Sequence, residues 1–182
     1  LLEKLSDVKG LEWIRLLYCH PHGMTDELIH TIRDEPAICK YLDMAIEHAD
    51  DGMLARMNRL TTQARLLERI ATLRAAMPQI ALRTSVIVGF PGETDDAFEG
   101  LLRFLETVRF ERLGAFRYSQ EEGSAAFRFP DQIPDAIKRA RFDRLMRLQQ
   151  EIAAGVNARC VGRTLPVLID EGPLEEPGQY VG

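Results

Sequence analysis

The chain has 182 residues, 46% hydrophobic and 28% charged, with a formal net charge of −5 at pH 7. That length suits one domain with a sizeable core, or one domain and a piece of another, and the composition is that of an ordinary globular protein. No run of 18 uninterrupted apolar residues occurs and no charged-then-apolar leader opens the sequence, so neither a membrane span nor a signal peptide is expected. The acidic balance argues against a surface devoted to nucleic acid.

In chain order, residues 1–5 read as a short helical tail, and "WIRLLYC" (residues 13–19) reads as a strand. "TDELIHTIRDEP" predicts a helix with Thr25 as N-cap, acids in its first turn and Pro36 as its stop. "YLDMAIEH" (residues 41–48) is a second strand. "DDGMLARMNR" and "TTQARLLERIATLRAAMP" follow as helices, the latter capped by Thr61 or Thr62 and ended before Pro78. "IALRTSVIVGF" (residues 80–90) is the clearest strand, "DDAFEGLLRFLETVRF" the helix after it, and "RLGAFRYSQ" a fourth strand. Strands alternating with helices of this length imply parallel pairing through β-α-β crossovers, so the chain suits part of a β/α barrel or a small open sheet.

Near residue 129 the organisation changes. "FPDQIP" is a proline-rich link, and residues 135–162 predict one long amphipathic helix whose apolar face is Ile137, Phe142, Leu145, Met146, Leu148 and Ile152. Its basic residues Lys138, Arg139, Arg141, Arg144 and Arg147, with Arg159 and Arg163 beyond, read either as a solvated face or as a docking surface. "RTLPVLIDEGPLEEPGQYVG" suggests one strand and the start of another, too little for a stable module, so the C-terminus is expected to be cut within a domain.

Cys19, Cys39 and Cys160 are far apart and form no C-x-x-C pair. Neither a zinc site nor a disulfide framework is expected, and reduced thiols of a cytoplasmic protein fit the pattern. His20, His22, Glu47, His48 and Glu93 cluster at expected strand ends, but no H-x-x-x-H or H-E-x-x-H spacing supports a metal site.

Strand parity predicts which side chains meet, because residues two apart share a face. Arg15, Leu17 and Cys19 oppose Ile14, Leu16 and Tyr18. Asp43, Ala45 and Glu47 oppose Leu42, Met44 and Ile46. Arg83, Ser85, Ile87 and Gly89 oppose Thr84, Val86 and Val88. Each strand thus has an apolar face for covering helices and a mixed face turned inward, where Arg15, Asp43 and Arg83 are expected to satisfy one another.

Ligands of such sheets bind at the carboxyl ends of the strands. There the stretch "IVGFPGETDDAF" lacks both G-K-[ST] and G-x-G-x-x-G, so it is neither a phosphate loop nor a dinucleotide fingerprint. Gly89 removes a side chain at the strand end, Gly92 permits a positive φ, and Thr94 caps the next helix. Asp95 and Asp96 would repel a phosphate there, so the loop suits a flat neutral or cationic ligand, or plain turn chemistry.

"WIRLLYCHPHG", "CKYLDMAIEHADDGMLARMNR", "LRTSVIVGFPGET", "ERLGAFRYSQEEGS" and "DRLMRLQQEI" occur in this order along essentially the whole chain. Together they resemble the radical S-adenosylmethionine methylthiotransferases, and most closely the branch that methylthiolates an aspartate of a small-subunit ribosomal protein. The resemblance implies the C-terminal four β/α units of a partial TIM-type barrel over residues 1–128. A linking helix over 129–160 and the start of a small β domain, TRAM, over 161–182 would follow. It implies S-adenosylmethionine as cofactor, held by Ser85, Ile87, Gly89, Phe90, Pro91 and Gly92, with Glu47 and His48 on the ribose side and Arg83 beside them. Glu47 stands where the family usually has glutamine. Two 4Fe–4S clusters are implied for the whole enzyme, but the C-x-x-x-C-x-x-C loop that would hold one is not in these 182 residues, so the piece alone is expected to be inactive. The resemblance further implies a cytoplasmic monomer acting on a ribosomal protein. Two alternatives are a tRNA methylthiotransferase, disfavoured because "EHAD" stands where "QSGS" would be expected, and a non-catalytic docking module.

Overall fold

Four apolar runs, each followed by a helix, have one economical arrangement: strands side by side, all pointing the same way. The computed structural model, which describes residues 1–169 and 180, has this arrangement. Strand β1 is Ile14–Cys19, β2 is Ile38–Met44, β3 is Ala81–Val88 and β4 is Arg112–Arg117. They form one parallel sheet in the order β1-β2-β3-β4. The helices are α1 (Leu2–Ser6), α2 (Asp26–Asp34), α3 (Asp51–Arg56), α4 (Gln63–Ala76), α5 (Asp95–Val108) and α6 (Asp135–Ala158).

Local chemistry sets the helix starts. The hydroxyls of Thr25, Thr62 and Thr94 accept from Leu28, Arg65 and Ala97 N–H groups, and the Asp50 carboxylate accepts from Met53 N–H. Thr62, rather than Thr61, is therefore the cap of α4. One face of the sheet packs on the helices: Leu42, Met44, Ile46, Leu82, Val86 and Val88 are fully buried with Ile32, Leu66, Leu73, Phe98 and Leu105. The other face stays open, as expected for part of a barrel.

Alternation holds along β2 and β3 and fails at the end of β1. Tyr18 has φ 57° and is 83% exposed, so it does not join Ile14 and Leu16 against the helices, while Cys19 packs against the core. Strand β2 begins earlier than expected and stops at Met44, where the Thr84 hydroxyl donates to Met44 O and accepts from Ile46 N–H in place of backbone pairing, and Glu47 has φ 67°. Glu47 nevertheless rejoins β3: its N–H donates to Ser85 O and its carbonyl accepts from Ile87 N–H.

The buried face of α6 is Lys138, Arg141, Leu145, Gln149, Ile152 and Val156. Ile137 is exposed, contrary to the expected stripe, and Phe142, Met146 and Leu148 pack only partly on the core. Residues 163–169 form no strand, and the remainder of the expected C-terminal strands, apart from Tyr180, lies outside the described residues. Among the described residues no helix is long and apolar enough to cross a membrane.

Candidate functional site

The open face of the sheet carries Tyr41, Asp43, Arg83, Ser85 and Ile87, with Arg112, Gly114 and Phe116 beside them on β4. Asp43 is buried and Arg83 Nη1 donates to its Oδ2 at 2.6 Å. The expected three-member layer is only partly formed. Arg15 lies over the Tyr41 ring, 5.7 Å from its centroid, instead of pairing with Asp43. Asp43 Oδ1 has no partner among the described residues.

Above this layer, β3 runs into the Gly89–Glu93 loop, and the structure divides the nine expected cofactor positions into two groups. Glu47, Arg83, Ser85 and Ile87 are half-buried at or beside the open face. Burial pushes the Glu47 carboxyl above the usual carboxylate range, partly offset by Arg59. The second group is committed to holding the loop. His48 is fully buried: its Nδ1 accepts from Asp50 N–H, which leaves Nε2 to donate to Glu93 Oε1 at 3.1 Å. The Phe90 ring packs edge-on against Tyr118 and Phe129, with centroids 5.1 and 6.1 Å away. Pro91 O accepts from Arg56 Nε, and Gly92 N–H donates to Asp131 O.

Both glycines are required by the fold itself. Gly89 has φ 73°, and a Cβ there would lie 2.3 Å from Lys138 Cγ; Gly92 has φ 83° and would press on the Arg56 guanidinium. Both requirements are backbone conformation and close protein packing. A branched residue at Gly89 would therefore disturb the fold as well as any ligand.

Sequence reasoning placed Glu93 only in a discounted metal cluster. It is instead a fully buried carboxylate that accepts from Gly89 N–H at 2.7 Å and Arg141 Nη1 at 2.6 Å as well as from His48. Arg141 also reaches Asp95, at 2.7 Å. Lys138 and Arg141 share the helical spacing of Leu145, Gln149 and Ile152, but a pattern read from hydrophobicity gives cations to solvent, so the sequence alone does not mark them as buried. Lys138 and Arg141 are buried and Arg144 pairs with Glu99 at the surface, while Arg139, Arg147, Arg159 and Arg163 stay exposed, so only part of the basic stripe of α6 is used inside the molecule. A groove of about 790 Å³ runs along β4, lined by Phe116, Tyr118, Lys138 and Phe142 among others. The three cysteines sit in β1, in β2 and beyond α6, and among the described residues no group of three His, Cys, Asp or Glu could hold a metal ion.

Comparison with known proteins gives this geometry a context. The protein named ribosomal protein uS12 methylthiotransferase RimO of Geobacter sulfurreducens is 48% identical over 176 residues, covering 97% of this chain and 39% of the relative. Its namesakes from Anaeromyxobacter sp. and Desulforamulus reducens are 50% and 47% identical, covering 97% and 100% of this chain. They are themselves covered to 37% and 41%. The chain thus spans about two fifths of the length of the curated relatives it matches. Coproporphyrinogen III oxidase (HemN) from Escherichia coli, titled a radical SAM enzyme, superposes with a TM-score of 0.59 at 18% identity over 80% of this chain and 32% of its own, a likeness of fold. A family model described as the radical SAM superfamily matches residues 1–105, which contain β1 to β3 and the whole Gly89–Glu93 loop. The match covers more than half of the chain, and the 48% identity to the Geobacter relative points the same way, so the chain belongs to the radical SAM superfamily.

Proposed function

We propose that this chain is part of a methylthiotransferase that adds a methylthio group to an aspartate of ribosomal protein uS12. The observation that carries this reading is the 47–50% identity to proteins of that name over nearly all of the chain. Residues 1–128 would be the C-terminal part of the barrel, 129–160 the linking helix and 161–182 the beginning of a TRAM domain. The whole protein would act as a monomer in the cytoplasm, where its ribosomal substrate is made.

The donor set on the open face fits S-adenosylmethionine. Glu47 offers an acceptor for ribose hydroxyls, Ser85 a hydroxyl, Ile87 an apolar surface for a flat ring and Arg83 a cation with one amino group outside its pair with Asp43. Phe90 and His48 would serve by keeping the Gly89–Gly92 backbone and the end of β2 in place. Bound at a reduced iron–sulfur cluster, S-adenosylmethionine supplies the radical chemistry by which an unactivated carbon is opened to methylthiolation. The cysteines of these 182 residues do not fit such a cluster, so both clusters would be held by other parts of the protein. What this chain contributes is orientation of the cofactor and a wall that keeps water from the reacting face.

The test is to incubate the full-length reconstituted protein with ribosomes and with bulk tRNA. Methylthiolation of the uS12 aspartate by mass spectrometry, with tRNA unmodified, is expected. Methylthioadenosine in tRNA with the aspartate untouched would overturn the assignment.

A further inference from the structure

The carboxylate of Glu93 joins three parts of the molecule that are far apart in sequence. Its Oε1 accepts a hydrogen bond from His48 Nε2, at the end of β2; its Oε2 accepts from both the Gly89 N–H, at the end of β3, and Nη1 of Arg141, on α6. The side chains of Glu93 and His48 are fully buried and that of Arg141 is 8% exposed. Arg141 Nη1 also donates to Glu93 O at 3.1 Å, and its guanidinium lies over the Phe98 ring at 5.5 Å, so its plane is held on every side. One turn earlier on α6, the Lys138 stem occupies the space that a side chain at Gly89 would take. The loop is thus pressed by α6 at one end and tied to it at the other. Helix α6 lies wholly outside the segment that matches the superfamily.

We propose that Arg141 is a positioning residue for the cofactor loop. Through Glu93 it sets where the Gly89–Gly92 backbone and the end of β2 lie, and so couples the linking helix to S-adenosylmethionine binding. This rests on the reading of the open face as an S-adenosylmethionine site. The physical basis is that a buried carboxylate without its cation is costly, so the loop relaxes toward water when the cation goes.

The experiment uses the full-length reconstituted protein with Arg141→Met, Arg141→Lys and the double variant Glu93→Gln/Arg141→Met, the last removing the buried charge together with its partner. Three quantities are read: affinity for S-adenosylmethionine by equilibrium binding, hydrogen exchange of the loop amides, and thermal midpoint. Arg141→Met is expected to weaken S-adenosylmethionine by roughly tenfold or more, the scale seen when a group that orients a binding residue is removed. Exchange should accelerate at residues 89–94 and not in α2. Arg141→Lys should recover part of the affinity. The double variant should recover the thermal midpoint but not the affinity, which separates positioning from mere stability. Wild-type affinity in either Arg141→Met or a stable double variant would overturn the proposal. If the unsubstituted protein binds no S-adenosylmethionine, the cofactor reading fails instead, and unchanged loop exchange in Arg141→Met would then remove the latch as well.

Discussion

At the scale of single residues, the ion pair of the open face is asymmetric. Asp43 is 2% exposed with one oxygen unpartnered, whereas Arg83 is 35% exposed and reaches solvent. Removing Arg83 strands a buried charge, and removing Asp43 leaves a cation that water can serve. Arg83→Met should therefore destabilise by about 3–5 kcal/mol and Asp43→Ala by roughly 2 kcal/mol in urea unfolding. Equal losses would contradict the burial seen here. Glu47 titrates in the opposite sense to a paired carboxylate. Its folded pKa is raised, first by burial, so the neutral form is favoured in the folded state. The stability it allows is complete below the unfolded pKa and is lost as pH rises through the folded one. Glu47→Gln should remove that fall, so its thermal midpoint should gain on the wild type as pH rises from acid to neutral. Parity reasoning found the inward set of β2 and β3 because both strands are regular. It missed Tyr18 because a positive φ is not written in a run of apolar letters.

At the scale of elements, the Gly89–Glu93 loop and α6 behave as one unit. Gly89→Ala should lower stability for two reasons, strain at φ 73° and the clash with Lys138. In the double variant Gly89→Ala/Lys138→Ala the 2.3 Å contact is relieved, with Lys138 Cβ still 3.2 Å away, and the backbone term of about 1–2 kcal/mol remains. Unfolding measurements should show recovery of part of the loss and never all of it; full additivity would mean that the two residues do not meet. The long helix was legible as a helix from its period and its length. Its buried face was not, because two cations and a glutamine occupy positions that a hydrophobicity rule gives to solvent. Lys138 is tolerated because its stem packs on Gly89 while its ammonium lies 5.3 Å from the centre of the Tyr118 ring, and Arg141 because Glu93 awaits it.

At the scale of the molecule, the described residues form four β/α units around an open face, and the cysteines are dispersed over it. Anaerobic reconstitution of these 182 residues with iron and sulfide should leave no stoichiometric cluster, since three converging thiolates are needed to hold one. An absorption band near ~400 nm at one cluster per chain would show a ligand set that this fold does not contain. The same openness leaves Leu17 and Phe116 about half exposed on the inward side of β1 and β4. Apolar surface there is what the interior of a barrel presents before its remaining parts cover it.

The sequence by itself determined the element types and their parallel pairing, and it points to the strand ends as the expected site. These follow from period, caps and turn residues, which act over a few positions of chain. It also carried the family resemblance, through motifs spread along the whole length. Only the tertiary structure decided which of the nine expected cofactor positions face outward and which hold the loop from behind. It alone brought Glu93, His48 and Arg141 together across 45 and 48 residues of sequence separation. A buried carboxylate finds its partners by three-dimensional proximity and by the cost of leaving it bare, and neither quantity has a local signature in the chain.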